Sequence, residues 1–265
     1  MKKNDRDIRW LPGLSWLTAL FFLFLYTPLL VLVVFSFNAS RSTTVWSGFS
    51  LEWYHKAFTN DAIRVATQNS VIIATLAAIL ATTIATSAAL ALARNKRMKG
   101  KQAFHGAMLL PLMIPEIVTA VATLIFFSTI GLGLGLGNII LAHTVFCIPF
   151  AYLPIKARLE SMDENLEMAA RDLYADKWAT LRFVTLPLVM PGIISGAMLA
   201  FIISLDDFII TLMLAQAGST TLPIYIYSFV RVGITPEINA VSTILIGFSV
   251  IVVSVSAFLG RKTAS

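Results

Sequence analysis

The sequence predicts an all-α integral membrane protein of six transmembrane helices, and three observations carry that reading. Only 13% of the 265 residues are charged and 57% are hydrophobic, where a soluble domain carries roughly a quarter charged. The apolar residues gather into six runs of about 20 or more, each enough to cross about 30 Å of hydrocarbon at about 1.5 Å per residue. Within the runs apolar residues are continuous instead of alternating, which excludes barrel strands. Mean hydropathy is +0.81.

The first run covers residues 14–37 and follows a basic MKKNDRDIR. At roughly 24 residues it exceeds the 7 to 15 of a secretory h-region, and no A-x-A site follows, so it is expected to be retained. The others cover residues 69–93, 106–130, 136–157, 188–214 and 239–259, within a single transmembrane domain spanning 1–265. Sixteen of the twenty Lys and Arg residues fall in the N-terminal tail, the loop after the second run, the stretch from Lys156 to Arg182 and the C-terminus. Arg41, Lys56, Arg64 and Arg231 lie on the other side, so the positive-inside rule predicts cytoplasmic termini. Topology thus accounts for the net charge of +6 and the pI near 9.6, and no nucleic-acid partner is read into them. The single Cys147 rules out a disulfide within the chain.

The loop at 158–187 is the densest cluster of charge. Residues 162–174 read as a short helix, with Asp163 or Asn165 capping its start and Arg171 near its end. Leu166, Ala169, Ala170 and Leu173 recur at helical spacing, while Glu164, Glu167, Arg171 and Asp172 lie mostly elsewhere. Such a stripe needs a partner: either the protein's own cytoplasmic face and the headgroups, or another subunit.

The loop resembles that of ABC-type importer permeases, which carry Glu-Ala-Ala, three residues, Gly, nine residues, Ile, one residue and Leu-Pro. That register falls here on Met168, Ala169, Ala170, then Tyr174, Val184, Leu186 and Pro187. The spacing matches, but Met168 stands for Glu, Tyr174 for Gly and Val184 for Ile. Glu167, one position early, points about 100° away and does not simply replace the missing acid. The segments FSFNASRSTTVWSGFSLEWYHKAF, MLLPLMIPEIVTAV, ISLDDFII and TTLPIYIYSFVRVGITPEINAVSTILIG are similar to those of spermidine/putrescine importer permeases, specifically the second of their two permease subunits. The resemblance implies a type I ABC importer fold in a bacterial inner membrane. It also implies a second homologous permease subunit, two cytoplasmic ATPase subunits that bind ATP, and a periplasmic polyamine-binding protein. Met168, Ala169, Ala170, Tyr174, Leu186 and Pro187 then belong to a surface that docks on the ATPase.

The chain's own motifs agree with a non-catalytic role that needs no cofactor. No G-x-x-x-x-G-K-[ST] loop is present, since Gly100-Lys101 is followed by Gln102. The run GLGLGLG at 131–137 has the wrong spacing for a dinucleotide fingerprint and reads as a short turn. There is no HExxH, no G-x-S-x-G and no Cys/His cluster for a metal; His55, His105 and His143 are far apart in the chain.

Glu116, Asp206 and Asp207 are the acids well inside the spans, where a carboxylate costs at least about 2.5 kcal/mol even on insertion scales. Glu116 lines up with Thr119 and Thr123, and Asp207 with Ala200, Ser204 and Thr211. Asp207 is expected to face a cation pathway and Asp206 a partner permease or neighbouring helix. Two alternatives stay open: the acids serve assembly alone, or they bind protons or Na⁺ in a self-sufficient carrier. The segment 218–237, with Tyr225, Tyr227 and Phe229 between Pro223 and Pro236, is expected on the outer side, as a binding-protein seat or an aromatic belt.

Overall fold

The computed structural model describes residues 14–94, 99–133, 135–233 and 235–261. The cations at 2, 3, 6, 9, 96, 97 and 262 lie outside the described residues. The order is α1 (Leu14–Phe35), α2 (Glu52–Thr59), α3 (Asp61–Arg94), α4 (Lys101–Met113), α5 (Glu116–Thr129), α6 (Leu136–Glu160), α7 (Glu164–Asp172), α8 (Lys177–Thr180), α9 (Leu186–Asp206), α10 (Ile209–Leu214), α11 (Leu222–Val232) and α12 (Pro236–Arg261). One isolated bridge joins Asn38 and Phe49. A π-helical stretch, Leu181–Thr185, links α8 to α9 without a break.

Among the described residues five helices are long and apolar enough to cross a membrane, and α4 with α5 makes a sixth if the pair, bent by 104°, is one span. The third span, expected as one helix over 106–130, is therefore broken. Pro115 is the cause: it lacks an N–H and forces Ile114 out of the helical region, to φ −95°, ψ 132°. The fifth span, expected over 188–214, also breaks. After α9 the chain is extended at Asp207, φ −63°, ψ 129°, before α10 begins. No proline or glycine marks this second break; the Asp207 side chain takes the Thr211 N–H at 3.1 Å, offering the backbone a partner outside the helix ladder.

The chain divides into two compact units, residues 1–59 with 229–245 and residues 60–228 with 246–265. In the first, α1 contains no buried residue. The loop after it is built around Asn38, whose Nδ2 donates to the carbonyls of Ser42 (2.7 Å) and Val45 (2.8 Å) and whose Oδ1 accepts the Ser47 N–H (2.9 Å). The Trp53 indole donates to the Asn38 carbonyl at 2.7 Å, fastening α2 to the loop. The Lys56 ammonium lies 2.7 Å from Glu52 and holds that carboxyl below the usual range.

In the second unit α3, α6 and α9 form the core. α3 buries small residues at helical spacing, Ala74, Ala77, Ala78, Ala81, Ala85, Ala88 and Ala89, so α6 and α9 can approach its backbone. α9 contributes Gly192 and Gly196: a Cβ on Gly196 would sit 2.6 Å from the Ala151 carbonyl oxygen, and one on Gly192 2.7 Å from the Arg158 Cβ. This is a small-xxx-small contact against α6. Ser195 and Ser256 join α9 to α12 through a 3.1 Å hydroxyl pair. Asn69 donates to the Gly218 and Thr220 carbonyls (3.1 and 2.9 Å), and Ser70 accepts the Leu222 N–H at 2.8 Å, tying α3 to the connection between α10 and α11. The glycine-rich turn before α6 is held by Asn138, whose Nδ2 donates to the Gly133 carbonyl at 2.5 Å.

Candidate functional site

The two helix breaks bring the intramembrane acids together. Glu116 opens α5 immediately after Pro115, and it lies beside Asp207 and the Ile209 N–H at the start of α10. Asp207 Oδ1 accepts from Thr211 N (3.1 Å) and Thr211 Oγ1 (3.2 Å) and lies 3.2 Å from His143 Nε2. His143 in turn meets Ser204 Oγ through Nδ1 (2.8 Å) and Thr211 Oγ1 through Nε2 (2.9 Å). With Thr211 donating to Asp207, the network assigns the imidazole proton to Nε2 and leaves Nδ1 to accept from Ser204.

Burial separates the adjacent aspartates. Asp207 is 7% exposed and committed to His143 and Thr211, whereas Asp206 is exposed and Glu116 half-buried. The expected helical line-up of Asp207 with Ser204 and Thr211 survives as contacts, but through the break and His143 instead of one continuous stripe. The geometry leaves Asp206 and Glu116 accessible on this chain, where Asp206 can meet either another subunit, as expected, or a solute, while Asp207 is enclosed by His143 and Thr211. Phe208, the next residue, packs against the Tyr227 ring of α11 at 4.6 Å, and Tyr227 stays partly exposed. An accessible carboxylate, a half-buried one, an aromatic face and helix ends at mid-span can together replace the water around an organic cation.

His143 was passed over in the sequence because the histidines are far apart in the chain; its position midway along an apolar run was the available signal. The described residues contain no group of three or more His, Cys, Asp or Glu side chains able to hold a metal.

The second surface is the loop between α6 and α9. Asp163 is the cap, its Oδ1 accepting the Asn165 N–H at 2.9 Å, and α7 is shorter than the expected 162–174. Glu167 turns inward: Oε1 accepts from Thr185 Oγ1 at 2.5 Å and lies 3.4 Å from Arg94 Nη2, and Oε2 lies 3.9 Å from Arg171. Arg94 also donates to Thr185 Oγ1 at 2.9 Å, so α7, the end of α3 and the π stretch share one knot. Met168 and Ala169 are exposed, Ala170 half-buried, and Tyr174 is 99% exposed. Leu186 is half-buried and Pro187 exposed where α9 begins. Leu173, Trp178 and Phe183 add large exposed apolar side chains to the same loop. Trp178 and Phe183 were not singled out in the sequence, where large apolar residues in a charged loop were the signal. Tyr174 has φ 64°, the left-handed region that glycine adopts freely.

Comparison with known proteins agrees with this architecture. Residues 85–262 match the family model described as binding-protein-dependent transport system inner membrane component. The chain is 41% identical over 239 residues to the spermidine/putrescine transport system permease protein PotC of Haemophilus influenzae, covering 90% of this chain and 93% of that one. It is 39% identical over 232 residues to the putrescine transport system permease protein PotI of Escherichia coli K12, covering 85% and 83%. Among solved structures it superposes with a bacterial alginate ABC transporter in complex with its periplasmic protein (TM-score 0.68, 19% identity, 92% and 91% covered). The MetNI methionine ABC transporter is a further match (TM-score 0.63, 18% identity, 75% and 94% covered). At those identities the structures speak for the fold, that of ABC importer permeases. The chain belongs to the family of binding-protein-dependent transport system inner membrane components, among the permease proteins related to PotC and PotI.

Proposed function

We propose that this chain forms half of the membrane pathway of an ATP-driven importer of polyamines such as putrescine and spermidine. The observation that carries the reading is the meeting of two broken spans at Glu116, Asp206 and Asp207. Carboxylates held at mid-span are costly unless used, and an ammonium stripped of water needs such oxygens. Asp206 and Glu116 would receive the cation, with Tyr227 supplying a ring face, while Asp207 is held by His143 to keep the α10 break in place. The names of the relatives point to the same substrate class.

The loop surface of Met168, Ala169, Ala170, Tyr174, Leu186 and Pro187, enlarged by Leu173, Trp178 and Phe183, would dock on a cytoplasmic ATPase subunit. A second permease completes the pathway, two ATPases bind and hydrolyse ATP, and a periplasmic protein delivers substrate. Both termini then lie in the cytoplasm of a bacterial cell, with this multi-pass subunit in the inner membrane, and the chain itself carries no catalytic residue or cofactor.

The test is uptake of labelled putrescine and spermidine by vesicles holding the complete complex, with and without ATP. Asp206→Asn and Glu116→Gln keep size and remove charge, and each is expected to lower uptake about tenfold or more while the complex assembles normally, since hydrogen bonds to charged groups contribute about 1.5–3 kcal/mol. Near-normal uptake in both variants would return the acids to a role in assembly alone. Uptake driven by a proton or Na⁺ gradient without the ATPase would overturn the energy source.

A further inference from the structure

We propose that a cavity between the ends of α3, α4 and α6 binds the phosphate of an anionic lipid headgroup. The cavity has a volume of about 640 Å³ and is lined on its polar side by Lys101, Gln102, His105 and Lys156. That lies within the range of about 300–1,000 Å³ usual for small-molecule sites. It is separate from the acids at the helix breaks.

Three features converge on a phosphate. α4 begins without a side-chain cap: Gly100, in the left-handed region at φ 78°, occupies the cap position, and the first turn holds no acid. The first N–H groups therefore lack the usual acceptor, and a lysine stands where the macrodipole favours negative charge. Across the cavity, Lys156 Nζ lies 3.3 Å from His105 Nε2, and His105 Nδ1 lies 3.0 Å from the hydroxyl of Tyr152, a residue 1% exposed. Since an ammonium only donates, Nε2 accepts and Nδ1 carries the proton toward Tyr152. The buried tyrosine thus fixes the imidazole, and the imidazole in turn positions Lys156. Lys101 and Lys156 line one space beside the uncapped first turn of α4, and an oxyanion there would accept from both ammonium groups. The carboxylate on the lining, Glu160, sits 3.6 Å from Lys156 with its side chain 67% exposed, at the rim.

The surroundings select a lipid. The remaining walls are apolar, with Leu92, Leu159 and Met162 among them. Along α4, Phe104, Leu110 and Leu112 are exposed apolar side chains on which acyl chains would lie. Basic pockets between the ends of membrane helices suit anionic headgroups.

The test uses the whole complex purified in detergent and measures retained lipid by native mass spectrometry. Phosphatidylglycerol, phosphatidylethanolamine and inorganic phosphate are supplied in separate arms. Phosphatidylglycerol is expected to be retained in preference to phosphatidylethanolamine, with retention falling about tenfold in Lys156→Gln, as the loss of one charge-assisted hydrogen bond predicts. Gln102→Glu is the second variant. It supplies the acid that the first turn of α4 lacks and so favours the helix, yet it should repel the headgroup and lower retention as far. Equal retention by wild type and Gln102→Glu, or no preference between the two lipids, overturns the proposal. Retention of inorganic phosphate with exclusion of phosphatidylglycerol overturns the lipid assignment and leaves a free-phosphate site.

Discussion

Two adjacent aspartates in one chain have opposite circumstances, and the helix break decides which is which. Asp207 spends its Oδ1 on Thr211 and His143, while Asp206 stays exposed at the end of α9. Sequence spacing established that the two must diverge, but not the direction, because the break at Asp207 resets the helical angle. His143→Ala is expected to lower the thermal stability of the assembled complex by about 1–3 kcal/mol, since it takes one of three partners from the buried Asp207 carboxyl and leaves the Ser204 hydroxyl without its imidazole acceptor. Asp206→Asn should leave the melting temperature nearly unchanged; equal losses in both would show that Asp206 is structural too. Tyr174 supplies the complementary case. Its left-handed φ of 64° with a 99% exposed side chain means that Tyr174→Gly removes backbone strain without removing a buried contact. That variant is expected to stabilise the fold by about 1 kcal/mol, read as a small rise in melting temperature. A fall would mean that the tyrosine ring is held by another subunit in the complex.

Helices were legible as apolar runs and their interruptions were not, for a physical reason. Hydropathy adds up along a segment whatever its direction, so 106–130 and 188–214 read as unbroken although Pro115 and Asp207 turn the chain within them. The capping residue of α7 was legible because an aspartate before a helix acts locally, through its own side chain. Packing between helices was less so: the Gly192 and Gly196 pair is visible in the sequence, but its partner on α6 is not. Gly196→Ala places a methyl 2.6 Å from a backbone oxygen that cannot rotate away, so α6 and α9 must separate. A loss of about 1–3 kcal/mol is expected in thermal unfolding of the complex. Gly106→Ala in α4 is the control, with nothing within 4 Å of the added methyl, and it should be neutral or stabilising by about 0.5–1 kcal/mol. Equal destabilisation by both would remove the close contact as the explanation.

For the molecule as a whole, the segment around α11 decides the orientation. Ser228 is exposed, and Cys147, the one native thiol, is buried with its Sγ donating to the Ala200 carbonyl at 3.4 Å, a bond that serine can keep. In a Cys147→Ser background, Ser228→Cys is expected to react with an impermeant thiol reagent added to the periplasmic face of spheroplasts. Reaction only in inverted vesicles would reverse the topology read from the lysines and arginines. The π stretch at Leu181–Thr185 has a consequence of a different kind. A π turn stores one residue more than an α turn, and each residue is worth about 100° of rotation. Deleting one residue there would restore an ordinary helix while swinging everything before it around the axis of α9, and the Glu167 to Thr185 bond, which straddles the surplus, would be the first to part. The heading of the loop is thus written in a length and not in a side chain, so a lineage could redirect that surface by a single-codon insertion or deletion without replacing any residue of the surface itself.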